Sequence, residues 1–527
     1  MMKTIATTLS LAVAVAMANA AQADILPAYQ SGSDWFTEAQ TAIADKTQLE
    51  RIKAAKNVIL FVGDGMGIST LTAARILEGQ NNGNTGEENL LSFETFPYSA
   101  LAKTYNTNQQ TPDSAGTMTA MMTGVKTKAG VIGLSPEAVR AECENNPNHQ
   151  LFTALEAAEL VGKATGIVST ARLTHATPAA TYAKSPERNW EDDSDMPEEA
   201  IAAGCTDIAS QLIDFPYGDG IDVAMGGGRR HFLPNDATAN SIDAVSTVEG
   251  NRTDGRNLVE EWKNAHSDGY YADVQSEFDA IPNTAKKVFA LFNESHMHYE
   301  ADRTNDIGGE PSLTQMTEKA INVLSNDEDG YFLMVESGRI DHGHHAGSAY
   351  NALTDAVELS NAVKKAVELT NDEETLIIVT ADHSHVFTIA GYPTRGNPIL
   401  GKVITNDGSG APLSDEYLAA DGMPYTTLGY NNGLGYASLS GETDADARYD
   451  TGAYPISSGT RVDLASVNTQ DSGFHQEALV PLSSETHAGE DVAVHAMGPS
   501  AYLFQGVIEQ NVLFQVMKTA MSIDDEI

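Results

Sequence analysis

Short apolar runs recur along the chain, and most of them end in residues that carry chemistry. Residues 57–62, 164–169, 221–225, 331–335, 375–380 and 492–496 each have about the length of one buried strand, the run at 492–496 being the final one. Helical patterns lie between them: from Gly67 to Glu78, from Thr117 to Thr123, over 151–161, and over 348–369. In the last, Leu353, Val357, Leu359, Val363 and Val367 form an apolar stripe. Buried strands alternating with amphipathic helices predict an α/β fold, a three-layer αβα sandwich around a large, mostly parallel sheet. Two stretches depart from the pattern. Residues 235–285 read as irregular and polar. Residues 391–486, rich in Gly, Asn, Asp, Ser and Tyr, read as an insertion packed on the main domain, because Tyr425, Tyr430, Tyr436 and Tyr454 need something to pack against.

Open α/β sheets bind ligands beyond the carboxyl ends of their strands, so a site is expected where the runs stop. Asp64, Glu336 and the pair Asp382-His383 each follow an apolar run. The run at 331–335 releases Glu336, Asp341, His342, His344 and His345 within ten residues. Asp341 and His345 are four apart, so one helical turn sets them on one face. A carboxylate and an imidazole there suit a metal, although a solvated loop has the same composition. His175 and Thr177 follow the run at 164–169. Ser114, after Pro112 and Asp113, sits at a predicted helix start, either as an ordinary N-cap or as a nucleophile whose alkoxide the helix end favours. Arg188 lies in a polar loop, as a surface charge or as a fork for an oxyanion. The glycine turn at 63–67 lacks dinucleotide-loop spacing, and Asp64 would put negative charge into a phosphate cradle.

The 527-residue chain is 41% hydrophobic, ample for a large core. Its formal net charge of −42 argues against a nucleic-acid backbone or an anionic membrane surface as partner. Lys3, the apolar stretch 5–17 and Ala18-Asn19-Ala20 read as a signal peptide over 1–20, cut after Ala20 or Ala23, so a periplasmic or secreted location is expected. No later run is long enough to span a membrane, and no lipid-anchor signal is visible at the polar end of the sequence. In an exported chain Cys143 and Cys205 favour a disulfide, two buried thiols being the other reading. Residues 21–54 read as a helical arm leading in.

Asp, His and hydroxyl candidates without cysteine suit zinc together with a harder ion such as magnesium. One serine beside two metals and an arginine is an arrangement for phosphoryl transfer. Six motifs in order then carry a resemblance: FVGDGMG from Phe61, PDSAG from Pro112, HATPAATYA from His175, VESGRIDHGHH from Val335, VTADHSHVF from Val379 and ETHAGEDV from Glu485. From about Ala55 to its end the chain resembles the alkaline phosphatases. The resemblance implies that Ser114 forms a covalent phosphoserine. It implies one zinc held by Asp341, His345 and His487, and a second held by Asp64, Asp382 and His383 with Ser114 reaching it. Magnesium would be held by Asp64, Thr177 and Glu336. Arg188 would bind the phosphate and Asp113 would help to place it. His175 would touch a water on the magnesium, His342 would sit beside the phosphate, and His344 gains no role. Small phosphomonoesters, an alkaline working pH and a homodimer are implied as well.

The likeness is closest to the animal-type branch. There 391–486 corresponds to a crown domain near the subunit interface, and Cys143 and Cys205 fall where that branch has a disulfide. Asn293 stands where those enzymes have a carboxylate of an extra calcium site, although Glu310 keeps an acid. A sulfatase would need a C/S-x-P-x-R context that Ser114 lacks, and a phosphodiesterase commonly has threonine in its place. A non-catalytic relative would have lost a ligand, and none is missing.

Overall fold

Each of the six apolar runs becomes a strand of one ten-stranded sheet in the computed structural model, which describes residues 54–144, 148–435, 437–438 and 461–523. The expected signal peptide and arm, with Tyr436 and Tyr454, lie outside the described residues. The strands are β1 (Asn57–Gly63), β2 (Tyr98–Lys103), β3 (Ala164–Arg172), β4 (Val223–Gly227), β5 (Tyr270–Ala272), β6 (Val288–Leu291), β7 (Tyr331–Ser337), β8 (Thr375–Ala381), β9 (Val492–Met497) and β10 (Gly506–Glu509). Their order is β10-β2-β9-β8-β1-β7-β3-β4-β6-β5, and β9 alone runs antiparallel, to both of its neighbours.

The central strands β8, β1 and β7 are buried along nearly their whole length, which is why their sequences read as continuous apolar runs. Their register is level. Val62 of β1 stands opposite Glu336 of β7 and Thr380 of β8, so the residues that follow emerge at one height along one edge.

The helices that matter most for this edge are α1 (Ile68–Asn81), α2 (Ser114–Thr123), α3 (Leu313–Leu324), α4 (Arg339–His345), α5 (Ala349–Leu369) and α6 (Val512–Ala520). On α5, Leu353, Leu359 and Val363 are buried, while Val357 and Val367 pack at the rim of the core. Ser348 caps α5 by accepting from the backbone N–H of Asn351. Gly343 lets α4 lie against α5, since a Cβ there would meet the backbone nitrogen of Ala352 at 2.6 Å.

Two sequence expectations need correction. Residues 235–285 are not merely irregular: helices Leu258–Ala265 and Gln275–Ala280 flank β5 there. Their buried positions are few (Leu258, Val259, Trp262 and Phe278) and lie between charged residues, so no apolar run marks them. The strand at Val492–Met497 is not the last either. β10 and α6 follow it, and β10 is an edge strand with Val507 exposed, which hides its signature.

The described part of 391–486 contributes strands Leu428–Gly433 and Ala478–Pro481 to a three-stranded sheet with Phe387–Ile389. Tyr430 is buried there, and the rings of Tyr417 and Tyr425 meet at 6.4 Å. Cys143 and Cys205 form a disulfide with Cα atoms 5.9 Å apart, packed against Trp190, Met196 and Ala200. Among the described residues no helix is long and apolar enough to cross a membrane.

Candidate metal and phosphate site

Three groups of carboxylates and imidazoles gather where β1, β7 and β8 end, each with its ligand atoms within 4.8 Å of one another. The first is Asp341, His345, His385 and His487. Asp341 and His345 both lie on α4, one turn apart as their spacing predicts. His345 Nδ1 faces the carbonyl of Glu485 at 2.7 Å, and His487 Nδ1 faces the carbonyl of Pro112 at 2.8 Å. A carbonyl can only accept, so each ring carries a proton on Nδ1 and leaves Nε2 as the nitrogen that can ligate. Those two Nε2 atoms are 3.0 Å apart, and each lies 3.3 Å from Asp341 Oδ1. Two ring nitrogens and a carboxylate oxygen thus converge on one point, a geometry that a cation completes.

His385, the fourth member, behaves differently. Its Nδ1 meets Glu485 Oε2 at 2.6 Å and its Nε2 meets Asp341 Oδ1 at 2.8 Å. Burial disfavours its charge, but the two carboxylates outweigh this and push it up to about 10. Held between the two carboxylates, it orients Asp341. Nothing in the spacing singled His385 out. Its only signal was a second histidine two residues after His383.

The second group is Asp64, Asp382 and His383. Asp64 Oδ1 and Asp382 Oδ2 each lie 3.3 Å from His383 Nε2. Asp382 Oδ1 accepts from the backbone N–H groups of Gly65 and His383, both at 2.9 Å, which fixes its carboxylate plane. Gly65 adopts φ +68°, and a Cβ there would meet His385 Nε2 at 2.3 Å, so the strand-to-helix turn accepts only glycine.

Ser114 is the first residue of α2, and its Oγ lies 3.0 Å from His383 Nε2 and 3.4 Å from Asp64 Oδ1. The helix is capped by Asp113, whose side chain accepts from the Gly116 N–H. The N-cap reading of Ser114 is therefore wrong: its hydroxyl is released from capping and faces the carboxylates.

The third group is Asp64, Glu336 and His175, with Thr177 beside it on a one-turn helix. Asp64 Oδ2, Glu336 Oε1, Thr177 Oγ1 and His175 Nδ1 are all buried without a hydrogen-bond partner among the described residues. Burial, then the charges of Asp382, Asp341 and Glu336, raise Asp64 well above the usual carboxylate range. Burial pushes Glu336 up to about 8. Orphaned buried oxygens carry a desolvation cost that a bound cation removes, so these oxygens fit a hard divalent ion.

Arg188 joins the helix cap at Asp113 to His175 of the third group. Its Nη1 donates to Asp113 Oδ2 at 3.2 Å and its Nη2 donates to His175 Nε2 at 3.1 Å. Burial alone would raise Asp113, but Arg188 and two backbone N–H groups hold it low and ionised. The ring of His342 packs on His296 at 4.0 Å and lies 5.5 Å from His175. His344 turns away from the site: its Nε2 meets Thr70 Oγ1 and its Nδ1 meets the Tyr430 hydroxyl, both at 2.9 Å, tying α4 to α1 and to the insertion. Asn293 donates to Glu310 Oε1 at 2.8 Å, so a donor occupies the place of the expected carboxylate.

The family model described as alkaline phosphatase matches residues 55–523. The chain is 42% identical over 516 residues to the tissue-nonspecific alkaline phosphatase of Gallus gallus, covering 96% of this chain and 93% of that one. It is 41% identical over 494 residues to the alkaline phosphatase of Gadus morhua, covering 93% and 96%. Among solved structures, the Thermus thermophilus alkaline phosphatase aligns with a TM-score of 0.60 at 22% identity, covering 95% of this chain and 96% of that one. The enzyme from the Antarctic bacterium TAB5 aligns at 0.56 and 20% identity, covering 90% and 100%. These two are similar in fold. By sequence along nearly its whole length, this chain belongs to the alkaline phosphatase family.

Proposed function

We propose that this phosphomonoester hydrolase works through a covalent phosphoserine at Ser114, with zinc at the two groups beside Ser114 and magnesium at the third. Asp341, His345 and His487 would hold one zinc, Asp64, Asp382 and His383 the other, and Asp64, Thr177 and Glu336 the magnesium. Bound there, the ions would neutralise the clustered acceptors, lower the pKa of the serine hydroxyl and offset charge on the phosphoryl and leaving oxygens. The protein's own part is positioning. Ser114 Oγ attacks phosphorus as its proton passes through water to the departing ester oxygen, which leaves as the alcohol, and one water then cleaves the phosphoserine to restore the hydroxyl and release phosphate. Arg188 offers a planar fork to two phosphoryl oxygens, and Asp113 holds that fork while its cap bond orients the first turn of α2.

The observation that carries this reading is Ser114 itself, a buried hydroxyl freed from capping and set 3.0 Å from a histidine of a carboxylate cluster. The same reading includes a signal peptide over 1–20 with export, an arm over 21–54, a catalytic domain over 55–527 with the crown-like insertion at 391–486, an alkaline working pH, small substrates and a homodimer. Ser114→Ala should lower turnover of p-nitrophenyl phosphate by about 10⁴-fold or more while bound metal stays near the parent level. Near-parent turnover would remove Ser114 from the nucleophile's role.

A further inference from the structure

Behind Arg188 lies a buried polar chain that neither the metals nor the nucleophile use. It begins at His231, whose Nδ1 meets Asp192 Oδ2 at 2.5 Å and whose Nε2 lies 3.3 Å from Glu191 Oε2. Glu191 also accepts from Thr174 Oγ1 at 2.5 Å. Arg172, the last residue of β3, forks onto Glu191 through Nε at 2.8 Å and Nη2 at 2.7 Å. Its remaining arm, Nη1, lies 2.6 Å from His296 Nε2 and donates to Ser295 Oγ at 3.2 Å. His296 is 5% exposed, and its ring stands between two others, 4.0 Å from His342 and 5.3 Å, edge-on, from His175. His175 Nε2 is the acceptor that holds Arg188.

We propose that Glu191, Arg172 and His296 form a positioning unit for phosphate binding. It fixes the loop bearing Arg188 from below through Glu191 and fixes the guanidinium from the side through His296 and His175. Glu191 lies three residues after Arg188, so its clamp to the end of β3 sets where that short loop can go. A bidentate arginine–carboxylate pair has one favoured plane, which makes it a stiff reference for the imidazole it touches. Buried ion pairs add little net stability over apolar packing, so rigidity is what this one supplies. His296 works as a wedge: without its ring, His175 and His342 can shift, and Arg188 loses a fixed acceptor. Outlying partners that orient a binding group typically matter by about 10- to 100-fold in affinity or activity.

The proposal rests on Arg188 being the phosphate fork. Its test uses the metal-loaded enzyme, p-nitrophenyl phosphate as substrate and inorganic phosphate as competitive inhibitor. Glu191→Gln and His296→Ala should each raise KM and the phosphate inhibition constant about tenfold, with kcat within about threefold and metal content unchanged. His296→Phe, which keeps the wedge, should recover most of the affinity lost in His296→Ala. Unchanged KM and inhibition constant in both variants would overturn the proposal, as would a loss of kcat that simply follows a lowered melting temperature. If one variant fails to fold, the other decides. A parent enzyme that did not hydrolyse the monoester would instead defeat the functional reading above.

Discussion

Arg229 and Arg252 are each 1% exposed, and they are surrounded by partners. Arg229 meets Glu249, donates to Asp243 at 2.7 Å, and reaches the carbonyls of Leu291 at 2.7 Å and Asp273 at 3.3 Å. Arg252 bonds Asp207, Asp254, Ser210 and the carbonyl of His231. The edge formed by β1, β7 and β8 buries as much polarity in the opposite way. There the acceptors face acceptors, and Asp64 Oδ2, Thr177 Oγ1 and Glu336 Oε1 have no partner among the described residues. A buried polar group costs free energy unless it is satisfied, so the first region is finished by the chain alone and the second is finished only by cations. Burial and charge alone do not mark a functional site in this molecule; acceptors clustered without donors do.

Stripping metals with a chelator should break the contrast most strongly. Turnover should fall by more than about 10³-fold, and the protein should lose on the order of 4 kcal/mol of stability, the linkage expected of ligands held near a thousandfold above their dissociation constants. Calorimetry and activity before and after zinc and magnesium return would check it, and a chelated protein with an unchanged melting curve would contradict it. Glu249→Ala should turn the finished region into an unfinished one. It leaves part of the Arg229 charge uncompensated and should cost about 3 kcal/mol in denaturant unfolding with kcat unchanged.

Glu159 offers a smaller test, because it lies between the two cases. It is 5% exposed, accepts from Thr165, and has no arginine partner among the described residues. Burial pushes it up to about 8, opposed by the Thr165 hydrogen bond and Lys287 and aided by Asp222 and Asp219. Between about pH 4.5 and 8 the folded protein holds a proton that the unfolded chain has lost. Stability therefore falls as pH rises through that window. Glu159→Gln should abolish this fall, gaining up to about 5 kcal/mol over the parent at pH 9 relative to pH 4. Parallel melting-temperature profiles for parent and variant from pH 4 to 9 would show that Glu159 does not titrate there.

The central strands were legible because strands covered on both faces must be apolar throughout. The long helix over 348–369 was legible because its stripe repeats over many turns. β2, β5, β10 and the helix over Leu258–Ala265 were not, since short or half-exposed elements carry few buried positions. At the site, Asp341 and His345 could be paired from their spacing, because one helical turn is local geometry. His385, His296 and Glu191 could not be placed, because their partners lie as far as 124 residues away.

The sequence alone therefore determined what is local or carried by ordered motifs: the α/β class, the strand ends that bear Asp64, Glu336 and Asp382, the turn-spaced pair on α4, and membership of a phosphatase family. Tertiary structure decided which atoms meet. It made Asp113 rather than Ser114 the helix cap, set His385 between Asp341 and Glu485, and sent His344 to brace the insertion. The physical reason is register. Periodicity follows from the backbone of each element, but the level ends of β1, β7 and β8, and every contact built on them, depend on pairing strands hundreds of residues apart.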